Sequence, residues 1–155
     1  MRHRLLIFCA ILVATFAVTS ASTGLAASEI ATTPVGNLAI GGYDAVSYRA
    51  EDGPLPGNPK HVYYWKGANW QFVTEENREA FRDDPEAYAP VYGGHGAWAV
   101  SVGEYLRGDP RIFTISDDTV YLFYSEDTKA KWLDNAKFLK QRADREWLKT
   151  LPKMQ

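Results

Sequence analysis

The sequence is short of sulfur and of histidine. Of 155 residues one is cysteine, two are methionine and three are histidine. The cysteine, Cys9, lies inside the opening stretch MRHRLLIFCAILVATFAVTSASTGLAAS. Arg2 and Arg4 form a basic start, Leu5 to Val18 is an uncharged and mostly apolar run, and small residues follow. That pattern is a secretory signal peptide, assigned to residues 1–26. The run is also shorter than the roughly 20 apolar residues a spanning helix needs. The expectation is a cleaved leader, a periplasmic or secreted protein, and no membrane span after signal removal. The mature chain then has no cysteine. Disulfides, thiolate catalysis, thiol redox chemistry and cysteine-type zinc sites are excluded.

Excess positive charge is also missing. Removing Arg2 and Arg4 takes Lys+Arg from 17 to 15 against 19 Asp+Glu, a net charge of −4. An acidic surface of mixed sign argues against nucleic acid as a partner. Catalytic signatures are absent too. The chain has no Gly-x-Ser-x-Gly elbow, no His-Glu-x-x-His and no phosphate loop ending in Lys. An enzyme is the least favoured class. It would require an acid–base pair of His95 with a carboxylate.

Aromatic residues are plentiful. All five Trp and all nine Tyr fall after the leader. They supply enough apolar area for one ordinary domain. Residues 27–40 are small and polar, and read as a flexible lead-in. GYDAVSY alternates, which predicts a strand over 43–48. EDGPLPGNP is a loop. HVYYWKGANWQFV predicts a hairpin of 61–65 and 70–73 around Lys66–Asn69. Thr74 is a helix cap, with Glu75 and Glu76 at the positive end of the dipole, and this helix stops at Asp84 before Pro85. A second hairpin pairs 112–115 with 119–124 about Asp117-Asp118. Ser125 caps a C-terminal helix or two helices parted near Asp134-Asn135, with Trp132, Ala136, Leu139, Ala143 and Trp147 on one stripe. AWAVSVGEYL fits either a helix or a strand. No internal repeat is evident. The class is α+β: a small antiparallel sheet of hairpins, a short helix after the first, and C-terminal helices packed on it.

The candidate site is YGGHGAWAV, residues 92–100. Imidazole is a common ligand for zinc, copper and nickel. Glycines beside His95 would leave its ring accessible, although they also suit a tight turn. His95 is the main candidate metal ligand, with His61 and Asp44 as accessories. Tyr92, Gly93, Gly94, Gly96 and Trp98 form the candidate binding loop.

GYDAVSY, YYWKGANWQFVTEENREAFRDDPEAYAP, YGGHGAWAV, DPRIFTISDDTVYLFYS and ADREW follow one another in an order that resembles the YHS domain-containing proteins in their exported bacterial form. The resemblance spans about 41–148 and places the domain at 41–150. It implies a module of the kind found in copper-transporting ATPases and some hydroxylases, for which copper binding is proposed. In the metal-associated versions cysteines stand where this chain has Ser47, Val73 and Asn77. The exported versions carry one where this chain has Gly96. A soft Cu(I) site is therefore lost, and a harder copper or zinc site on His95, His61 and Asp44 is the form that could survive. The alternative is a non-catalytic module for a small ligand or a protein partner, with no metal.

Overall fold

The computed structural model describes residues 28–153, so the leader reading over 1–26 lies outside the described residues. The fold is α+β. Strands β1 (Asn58–Trp65) and β2 (Ala68–Phe72) form one antiparallel ribbon, and β3 (Asp109–Ser116) and β4 (Thr119–Phe123) form another. Helix α1 (Glu75–Asp83) follows the first ribbon, then the short α2 (Pro85–Tyr88) and α3 (Ala97–Ser101). Helices α4 (Glu126–Asp134) and α5 (Ala136–Thr150) close the chain, parted at Asn135, so of the two arrangements the stripe allows the structure has two helices.

Both helix caps form as expected. The Thr74 and Ser125 side chains accept from the Asn77 and Thr128 N–H groups, and Ser125 and Thr128 make a reciprocal capping box. The hairpin turns are tight. Lys66-Gly67 and Asp117-Asp118 all have positive φ, the conformation of two-residue turns that match strand twist. Ala68 and Asn69, expected in the first turn, thus belong to β2.

The predicted strand over 43–48 is not a strand. Val46–Arg49 is a 3-10 turn. Asp44 causes it: Oδ1 accepts from Val46 N–H at 2.8 Å and Ser47 N–H at 3.3 Å. Ser47 Oγ donates to the Asp44 carbonyl at 2.7 Å. These local bonds outcompete a ladder. AWAVS, left open by its pattern, is helical, and Gly103 follows it at φ +83°.

The expected flexible lead-in is instead a docked strap. Ile30, Ala31, Ala39 and Ile40 are buried. Ala31 N–H donates to the Gly93 carbonyl at 2.9 Å, and Thr32 bridges Ala39. Glu29 pairs with Lys66 at 2.7 Å. Small residues are what let this strap lie flat against the glycine loop.

The structure also contains a repeat that the sequence hides. β3 begins 51 residues after β1, β4 51 after β2, and α4 51 after α1. Each ribbon has the same register and the same bulge, Asn58↔Phe72 then Val62↔Gln71 against Asp109↔Phe123 then Phe113↔Leu122. Upstream the offset becomes 52: Gly41-Gly42 matches Gly93-Gly94, and in the bridges Tyr43↔Pro56 and His95↔Arg107 the first partners are 52 apart and the second 51. Pattern is retained where identity is not, so direct inspection of residues misses it.

The halves share one strand. Val120 and Leu122 of β4 belong to the first core with Trp70, Phe72 and Phe81, while Tyr121 and Phe123 belong to the second with Tyr92, Val100 and Trp132. A strand alternates its side chains between faces, and β4 has a core on each. The first core is dense in rings, with Trp70 and Phe81 centroids 4.8 Å apart and Phe72 and Phe81 5.1 Å apart.

Candidate functional site

The glycine loop turns out to be interior. Val91–Gly94 is a 3-10 turn, and Tyr92, Gly94, His95, Gly96 and Ala97 are all buried. Tyr92 and Gly93 both take positive φ. At Gly93 an added Cβ would lie 1.8 Å from the Glu29 carbonyl oxygen, so only glycine admits the strap there. The turn residues thus serve a close chain crossing, and they do not open the ring to solvent. Trp98 is partly buried, with Lys131 Nζ 5.2 Å from its ring. The Tyr92 hydroxyl donates to Asp144 Oδ1 at 2.8 Å, and burial followed by that carboxylate raises its pKa beyond the ordinary phenol range.

His95 is 4% exposed. Its Nε2 lies 2.9 Å from the Ser28 carbonyl. A carbonyl only accepts, so Nε2 carries the proton and donates. The rings of Tyr105 and Trp147 flank it, each centroid 5.8 Å away. Nδ1 is buried with no hydrogen-bond partner. Burial lowers the pKa of the ring, and the main chain of Ser28 and Tyr105 pulls weakly the other way. This histidine is a neutral strut for the strap. Among the described residues no carboxylate forms a hydrogen bond or ion pair with it.

The other two candidate ligands stand elsewhere. Asp44 is fully buried, and its carboxylate ties three segments together. Besides Val46 and Ser47, its Oδ2 accepts from the Val73 N–H at 2.8 Å and from Asn77 Nδ2 at 2.7 Å. Both oxygens are committed to the protein itself. His61 Nδ1 faces Glu75 Oε2 at 3.0 Å on the surface of the first ribbon. The structure therefore does not bring His95, His61 and Asp44 together. Among the described residues no group of three or more His, Cys, Asp or Glu side chains is placed to hold a metal ion. As placed, they do not form one copper or zinc site, because each has separate partners in its own part of the fold.

Two cavities lie near these elements. The smaller, about 220 Å³, touches Tyr92, Gly93 and Trp147. Lys66 extends into its wall, held by Glu29 at 2.7 Å and Glu86 at 2.8 Å and resting 4.7 Å from the Trp65 ring. The larger, about 450 Å³, lies between the repeats. Gly41 and Tyr43 of the first half form one side; Arg107, Asp109, Pro110 and Tyr124 of the second form the other. Thr33 of the strap closes one end. Sequence reading missed this cleft, because its residues lie more than 60 positions apart and meet only through the repeat.

No family model, curated protein or solved structure matches the chain. Among the described residues no helix is long and apolar enough to cross a membrane.

Proposed function

We propose that this protein is an exported, YHS-like, non-catalytic module that binds a small ligand in the cleft between its two halves. One observation carries the reading. The cleft offers about 450 Å³, within the range of roughly 300–1,000 Å³ found for small-molecule sites. It also lies at a junction of two structural units, where such sites concentrate. Two of the three candidate metal ligands, by contrast, hold the fold. Asp44 joins the Val46–Arg49 turn to Val73, just past β2, and to α1, and His95 fastens the strap.

The test is a solution screen. A panel of small cations, neutral molecules and anions is added to the protein, and amide shifts are followed by NMR. At least one class should shift the amides of Tyr43, Gly108 and Tyr124 together, saturably, and raise the melting temperature. Ligands that perturb only residues outside the cleft, or a panel that perturbs none, would remove this reading. Divalent copper or zinc tightly bound through His61 or His95 would restore the metal alternative.

A further inference from the structure

The chemistry of that same cleft defines its ligand more closely, and the argument here rests on the binding-module reading. Its charges are unequally engaged. Arg111 is satisfied within the wall: Nε donates to Asp109 Oδ1 at 3.0 Å and Nη2 to Oδ2 at 2.7 Å. Arg111 holds the Asp109 carboxyl below the usual range, so the pair stays ionised and mutually neutralised at pH 7. Arg107 has no such partner. Among the described residues its guanidinium makes one long hydrogen bond, Nη1 to the Thr32 carbonyl at 3.4 Å. The lining thus carries two cations and one anion, on a chain that is otherwise acidic.

The remaining lining is flat and aromatic. Tyr43 and Tyr124 present rings and hydroxyls that find no hydrogen-bond partner among the described residues, and Pro110, at the start of β3, lines the cleft with them. Tyr124 is 60% exposed despite its ring. A cavity of about 150 Å³ holds one benzene, so the cleft has room for a ring and its substituents.

The geometry points to a small aromatic monocarboxylate as the ligand of this cleft, its carboxylate on Arg107 and its ring against Tyr43, Pro110 and Tyr124. A guanidinium matches a carboxylate as a two-pronged donor. Aromatic rings gain from offset or edge contact with phenols. With Asp109 and Arg111 neutralising each other, Arg107 leaves the lining one positive charge in excess, which matches a ligand of one negative charge. Binding is reversible and involves no covalent step.

Titration calorimetry and NMR with four probes test this: benzoate, benzamide, benzylamine and acetate. Benzoate should bind most tightly, shift Tyr43, Arg107 and Tyr124, and weaken as salt rises. Arg107→Gln should weaken benzoate about tenfold or more, the worth of a charge-assisted hydrogen bond, and leave benzamide unchanged. Arg107 is exposed and makes a single long bond, so the variant folds. Equal benzoate binding by Arg107→Gln would overturn the assignment. So would benzamide or benzylamine binding the cleft as tightly as benzoate, while the binding-module reading survived. If the cleft answers neither these probes nor the wider panel, both fall.

Discussion

His95 shows how a residue chosen for its chemistry can serve structure. It is sealed under the strap as a neutral donor, with its second nitrogen bare. Charging it would bury a cation, at a desolvation cost that outweighs the pull of the Ser28 and Tyr105 main chain. The unfolded ring takes up its proton near pH 6.5, whereas burial lowers the folded pKa below that value. Below pH 6.5 the unfolded state therefore binds more protons, and stability falls as pH falls until the folded pKa is passed. Above pH 6.5 the contribution is complete. Unfolding free energy should be level above pH 7 and decline toward pH 5.5, with a slope up to about 1.4 kcal/mol per pH unit. His95→Gln keeps an N–H donor for the Ser28 carbonyl and does not titrate. Urea titrations at several pH values should show the slope flattened in that variant; an unaltered slope would place the proton uptake elsewhere.

Among the elements, the helix caps and hairpin turns were readable because their determinants are local. Thr74, Ser125 and Asp117-Asp118 act on groups within three residues. The strand expected at 43–48 failed for a reason equally chemical. Alternation of Tyr43, Ala45 and Ser47 resembles a strand, but the Asp44 carboxylate captures the next two N–H groups and turns the chain. Its remaining partners, Val73 and Asn77, lie about thirty positions away, beyond any local rule. The caps also yield a test of the repeat. Thr74→Ala and Ser125→Ala should each cost about 1 kcal/mol. They sit at equivalent places on separate helices, so the double variant should lose the sum. Denaturation of the three variants measures this, and a marked departure from additivity would show the helices coupled.

At the scale of the whole molecule, the halves are locked by more than the shared β4. The Tyr48 hydroxyl donates to the Pro110 carbonyl at 2.9 Å, and Arg49 pairs with Asp118 at 3.0 Å. Gly94 would meet Ile40 Cγ2 at 2.9 Å if it carried a Cβ, which shows how closely the halves approach. The chain should therefore unfold in one transition. Tyr48→Phe removes the donor to the half-buried Pro110 carbonyl and should lower stability by about 1 kcal/mol without splitting that transition. Tryptophan fluorescence and far-UV circular dichroism, followed together in urea, report on it. Non-coincident curves would mean that the repeats are separate folding units.

The sequence alone determined the α+β class, both ribbons and both caps, and it left open whether the C-terminal stripe runs on one helix or two. Each follows from side-chain alternation, helical spacing or a bond to a near neighbour. Composition confines cysteine to the single Cys9 of the opening stretch. Tertiary structure decided the rest. The strap, the buried state of His95, the separation of the three candidate ligands and the cleft at Arg107 all depend on which segments meet. Those meetings are set by a 51-residue repeat whose two copies share strand register and turn geometry more than residue identity. Packing selects for size and backbone shape, and both can be kept while the letters change.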